Sequence, residues 1–149
     1  MQAKRFLAGL LAVSPFFLLL GLRSLALNDI PAGDVDRGRY LVHSVAKCIE
    51  CHTPRDSRGR LDSARLLQGA SIPVTSPFRN QQWAFRAPAI AGLPGLTREE
   101  AVHLLMEGRR MSGYIPRSPM PAYNLTAEDA ADVVAYLQSL RCMVNLERY

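Results

Sequence analysis

A chain of 149 residues, 48% of them hydrophobic, has room for one ordinary globular domain. Its formal charge of +5 is unevenly placed, because Lys4, Arg5 and Arg23 lie in the first 26 residues, where no acid occurs. The basic residues elsewhere are nearly balanced by acids and form no run with interleaved aromatic residues, so the composition argues against nucleic-acid binding.

After Lys4 and Arg5 come 17 uncharged residues, Phe6 to Leu22, rich in leucine and phenylalanine and closed by Arg23. Such a segment is expected to enter a membrane, with Lys4 and Arg5 holding the N-terminus in the cytoplasm. Ser24-Leu25-Ala26 would serve as a cleavage site if residues 1–27 are a signal peptide. Seventeen apolar residues also approach the length of a span, with Arg23 able to snorkel, and this favours an N-terminal anchor through residues 6–22. Either reading places the rest of the chain outside the cytoplasm, on the periplasmic side of the membrane. No cysteine near the end of the segment offers a site for lipid.

Residues 28–33 read as a linker broken by Pro31 and Gly33. Asp34 is then placed to cap a helix running to about Ala46, because Gly38, Leu41, Val42 and Val45 recur at helical spacing. A glycine on that apolar face costs about 1 kcal/mol against alanine and implies the close approach of another helix.

This helix leads into Cys48-Ile49-Glu50-Cys51-His52. Two thiols three positions apart, followed directly by a histidine, are the pattern of covalent haem attachment with one axial ligand supplied to the iron. A closed zinc site needs two further ligands, and no second cysteine pair exists: Cys142 stands far from Cys51. A thioredoxin-like pair lacks the expected βαβ surroundings. With both motif cysteines consumed by haem, Cys142 has no intramolecular partner and is expected to remain a free thiol.

Beyond His52 the chain reads as loop. Leu61 to Gln68 suggests a short helix, and Ser71 to Phe78 a brief extended segment in which Pro73 and Pro77 oppose a central strand. Thr97-Arg98-Glu99-Glu100 is a capping box, with Ala101, Leu104 and Leu105 as the buried stripe and Gly108 as the stop. Thr126 opens the last helix, whose buried face is Ala130, Val133, Val134, Leu137 and Leu140. The chain is therefore expected to be all-α, with three to five helices and long loops around one haem that supplies much of the apolar mass.

A methionine sulfur is the soft ligand suited to the sixth iron position. Met120, between Pro119 and Pro121, sits on a stiff stretch of backbone and is preferred. Met111 is a weaker candidate, while Met106 and Met143 read as packing or surface residues. His43, His103 or an open site complete the alternatives.

Gly38-Arg39-Tyr40-Leu41, the CxxCH segment, the run Ser118-Pro119-Met120-Pro121-Ala122-Tyr123-Asn124-Leu125-Thr126 and the stretch from Asp129 to Leu137 together resemble a mono-haem cytochrome c domain. The resemblance spans roughly Asp34 to Arg141, within a domain drawn at 34–142 and followed by a tail at 143–149. It is similar to the haem subunits of bacterial periplasmic dehydrogenases, although those often carry several haem motifs where this chain has one. The resemblance implies one covalent haem c, thioether bonds at Cys48 and Cys51, His52 as proximal and Met120 as distal ligand, and crossed first and last helices that bring Gly38 against Tyr136. It also implies that Pro88 accepts the free N–H of His52, and it makes Trp83, Arg86 and Arg109 candidate partners of the propionates.

Electron transfer follows from two filled axial positions, without an enzymatic step of its own. Expected partners are redox proteins: a dehydrogenase, a quinol-oxidising complex or a terminal oxidase. Two other readings stay open: a haem enzyme or gas sensor with a vacant sixth position and peroxidase-like activity, and a fixed haem subunit of a respiratory or photosynthetic membrane complex.

Overall fold

The computed structural model describes residues 30–140. The leader and anchor segment, the first linker residues, Cys142 and the tail lie outside them. Among the described residues, no helix is long and apolar enough to cross a membrane.

Asp34 caps the first helix, its carboxylate accepting from the backbone N–H groups of Asp36 and Arg37, and α1 spans Val35–Tyr40. The helix does not continue with regular pitch. Leu41–Val45 forms a π-helical turn in which the Ala46 N–H donates to the Leu41 carbonyl at 2.8 Å, five residues back. One extra residue in a turn rotates everything after it by about 100°. Lys47 then takes a left-handed conformation (φ 55°), and the chain re-enters α2, Cys48–His52, on a new axis. Pitch change and kink together aim the two cysteines.

The helix expected over Leu61 to Gln68 is reduced to a single 3-10 turn, Ser63–Arg65, started by the Asp62 carboxylate. Leu67 ends it by adopting φ 57° while fully buried, its N–H donated to the Thr53 hydroxyl at 3.0 Å. The extended segment begins as a two-residue strand, β1 (Ala70–Ser71), antiparallel to β2 (Arg86–Ala87). Pairing goes little further, since Pro73 and Pro77 have no N–H to give.

The capping box of Thr97 and Glu100 is present, and α3 spans Arg98–Glu107 with Gly108 as its left-handed cap (φ 68°). Its buried residues are Ala101 and Val102, while Leu104 and Leu105 are half-buried. Ala101 is thus inward as expected and Leu105 packs against the core, while the second fully buried residue is Val102 and not Leu104. That helix, α4, spans Ala127–Ser139 and is capped by the Thr126 hydroxyl. All five expected residues on its apolar face are buried, and so are Ala131, Asp132 and Tyr136.

The core is the crossing of α1 and its π-turn with α4, joined by α3 and by Leu67 and Leu93 from the loops. Gly38 sits at the crossing. A Cβ there would run into the Asp132 carbonyl and lie 2.9 Å from the Tyr136 Cβ, so only glycine admits this approach. Asp132, buried at 7% exposure, accepts from the Asp34 N–H at 2.6 Å, and Arg37 reaches both Asp132 (3.2 Å) and Asp129 (2.6 Å). The fold is mostly helical, with four α-helices clamped at their two ends of sequence.

Candidate functional site

Because α2 is helical, the side chains of Cys48 and Cys51, three positions apart, share one face. Neither is in a disulfide. Cys51 is exposed and Cys48 half-buried, and burial pushes the Cys48 thiol up to about 11.

His52 closes α2 and is buried, with Nδ1 2.7 Å from the Pro88 carbonyl. A carbonyl only accepts, so the proton sits on Nδ1 and Nε2 keeps the lone pair that a metal needs. Burial holds the imidazole below its usual range, opposed by the Pro88 bond, which keeps it neutral and able to ligate. The Pro88 carbonyl is held in place by its surroundings: Ala87 pairs with Ala70 in the strand pair, and the Gly69 N–H donates to the His52 carbonyl at 2.8 Å. The short strand pair therefore fixes the histidine from two sides.

Met120 is half-buried in the 118–125 loop. Its N–H donates to the Arg117 carbonyl at 3.3 Å, and Ser118 bridges to Trp83 with the Ala84 N–H on the Ser118 carbonyl at 2.8 Å. Met111 is exposed (59%), Met106 packs against the core, and Met143 lies outside the described residues. His43 is engaged elsewhere: its Nε2 is 2.7 Å from the Tyr136 hydroxyl, and the rings meet edge to face at 5.6 Å. His103 stands half-buried in α3. The Trp83 indole N–H is donated to the Val74 carbonyl at 2.8 Å, while Arg86 and Arg109 are exposed and in no ion pair among the described residues.

These residues fit a covalently held haem. Two free sulfurs on one helical face, an imidazole with its outer nitrogen already hydrogen-bonded and a thioether on a separate loop form the right donor set. Ile49 of the attachment helix, Leu66, Ile90, Leu96, Leu105 and Leu125 pack against the core while keeping part of their apolar surface uncovered, and a flat, greasy ring could cover such surface.

Two functional contacts escaped the sequence reading. Asp132 sits among acids that read as a solvated helix face, and no spacing marks it as the buried acceptor of the Asp34 N–H. Tyr123 was legible as part of the motif, but its hydroxyl donates to the Ala46 carbonyl across 77 positions at 2.9 Å, which only the fold reveals.

A helical domain with this attachment motif defines a small haem-binding protein. Residues 35–141 match the sequence profile of the family described as Cytochrome c, and the chain belongs to that family. A protein named Diheme cytochrome c-type, from Cereibacter sphaeroides, is 43% identical over 56 residues, which are 38% of this chain and 19% of that protein. The Fructose dehydrogenase cytochrome subunit of Gluconobacter japonicus is 39% identical over 61 residues, 41% of this chain and 10% of that protein. The matches thus cover a small part of each relative. As a cytochrome c the chain carries covalently bound haem c, for which Cys48 and Cys51 are the motif cysteines, and its family role is electron transfer through that haem.

Proposed function

We propose that this protein is a single-haem electron carrier with His52 and Met120 as axial ligands, working outside the cytoplasm between a dehydrogenase or quinol-oxidising complex and an acceptor such as a terminal oxidase. The observation that carries the reading is the 2.7 Å bond from His52 Nδ1 to Pro88, which presets the tautomer and orientation of a metal-binding imidazole. When bound, the haem iron supplies a one-electron ferric/ferrous couple, whose potential a Met/His pair raises.

The chain's part is to hold and insulate. Pro88 keeps His52 from rotating and raises the basicity of Nε2. Met120, between two prolines, is held without help from a helix. Apolar side chains left partly uncovered at the core, Ile49 beside Cys48 among them, would exclude water from the ring, which matters because a dry surrounding limits the reorganisation that accompanies a change of charge. Arg86 and Arg109 keep guanidinium groups for the propionates, whereas the Trp83 N–H already has a protein acceptor.

The stretch of chain that contains Met120 is basic, and so is the one before α3. Residues 63–98 contain no acid, nor do residues 108–127. Arg79, Arg86, Arg109, Arg110 and Arg117 in these stretches are all exposed, and none forms an ion pair among the described residues, whose ion pairs all involve other arginines. Partners that approach these stretches meet positive charge.

A role as a haem subunit of a dehydrogenase is the second reading, favoured by the similarity to the cytochrome subunit named above. Membrane anchoring through residues 6–22, or release as a soluble periplasmic carrier after cleavage, belongs to the same proposal.

The test is a pair of methionine variants. Met120→Ala should lower the reduction potential and let the ferrous protein bind carbon monoxide, while Met111→Ala should do neither. The opposite pattern would reassign the distal ligand, and carbon monoxide binding by the unaltered protein would favour a haem enzyme or gas sensor.

A further inference from the structure

The left-handed break at Lys47, directly after the π-turn, leaves one carbonyl without its helical partner. In an uninterrupted helix the Ala46 carbonyl would accept from the Glu50 N–H, but Glu50 donates to Lys47 at 3.0 Å because Lys47 is left-handed. The Tyr123 hydroxyl takes the vacant place, donating to Ala46 at 2.9 Å. Burial pushes the phenol up to about 12, so it stays a donor throughout the neutral range.

Tyr123 stands three residues beyond Met120. The 118–125 loop is fastened at its start by Ser118 to the Trp83–Ala84 segment and at its end by the Leu125 N–H on the Leu105 carbonyl at 3.1 Å. Between them Pro121, Ala122 and Asn124 are exposed. Among the described hydrogen bonds, that of Tyr123 is the one that joins this loop to the segment carrying Cys48, Cys51 and His52. We infer that Tyr123 is a positioning residue, a strut that fixes the distance between the Met120 loop and the haem-attachment helix and so holds the distal ligand in place.

The irregular helix before the cysteines and the methionine loop are then two halves of one device. The break at Lys47 exposes a carbonyl that a straight helix would have consumed, and the loop uses it as an anchor. Tyr123 touches no iron ligand's bonding atom in this account. It acts by limiting how far the loop can swing, so its loss should appear as faster opening of the sixth position. Haem attachment itself should be unaffected.

The inference rests on Met120 being the distal ligand, and the experiment separates the two claims. Cyanide association with the ferric holoprotein reads how often the sixth position opens, and amide exchange at Met120 and Leu125 reads the loop directly. Tyr123→Phe keeps the ring and removes the hydroxyl. It should speed cyanide binding about tenfold, the size expected for one hydrogen bond in a local opening, and speed exchange in the loop. Val134→Ala, a cavity in the buried face of α4, should lower the melting temperature at least as much without either effect. Unchanged cyanide binding in Tyr123→Phe, or equal acceleration in Val134→Ala, would overturn the strut. If Met120→Ala itself left cyanide binding unchanged, the ligand assignment would fail, and the strut with it.

Discussion

Gly38→Ala is the substitution whose sign discriminates most sharply between local and tertiary control of this fold. Considered as a helix residue alone, Gly38 should be improved by alanine, by about 1 kcal/mol. Its place in the crossing says otherwise. The new methyl would run into the Asp132 carbonyl and stand 2.9 Å from the Tyr136 Cβ, and both belong to α4, whose buried face cannot retreat without opening the core. Forcing a methyl into a packed interior costs about 1–3 kcal/mol. Displacing α4 also stretches the 2.6 Å bond from the Asp34 N–H to the buried Asp132 carboxylate, whose loss adds about 1–2 kcal/mol. Set against the propensity gain, the net effect is a destabilisation of about 2 kcal/mol. Urea unfolding of the haem-loaded protein, followed by far-ultraviolet circular dichroism, should show the midpoint falling by about 1 M with an unchanged slope. A midpoint equal to or above that of the unaltered protein would refute the close crossing of α1 and α4.

His43 gives a pH dependence whose sign follows from its surroundings. Burial, helped by Arg39, depresses its folded pKa below the ordinary 6.5, so the unfolded chain binds the proton more readily. Stability should therefore be full above pH 6.5 and fall as the pH drops below it, and His43→Gln should flatten that slope in unfolding curves taken between pH 5 and pH 7. Reversing Arg79, Arg110 and Arg117 to glutamate should slow reduction of the holoprotein by anionic ferrocyanide about tenfold at low salt, with the difference shrinking as salt is added. Equal rates in stopped-flow traces at low salt would remove the basic stretches from the account.

The parts of this fold that rest on local chemistry were open to reading in the chain. Cys48, Cys51 and His52 announce themselves because the attachment chemistry tolerates one spacing. The caps at Asp34, Thr97 and Thr126 did so because an orphan N–H near a short oxygen-bearing side chain has few other uses. The α4 stripe was legible from its period.

What stayed hidden depends on contacts between distant segments. No residue in Leu41–Val45 marks a π-turn, and the Ala46 carbonyl that follows it finds its donor in Tyr123 far along the chain. Leu67 looked like part of a helix and instead takes a left-handed backbone, which its complete burial and its bond to Thr53 sustain. In α3 the full burial of Val102 beside Ala101, with Leu104 left half-buried, depends on what packs against the helix, which periodicity alone cannot tell. Asp132 resembles its neighbours Glu128 and Asp129 in sequence, and becomes a buried acceptor only because Gly38 lets α1 come near.

The central claim is that one imidazole and one thioether hold the haem iron of this protein. Near-infrared magnetic circular dichroism of the ferric holoprotein reads the axial pair directly, because the energy of the porphyrin-to-iron transition depends on which two ligands the iron carries. The account predicts a low-spin spectrum of the histidine–methionine type that is lost in Met120→Ala and kept in Met111→Ala. A bis-histidine or high-spin spectrum from the unaltered protein would contradict it.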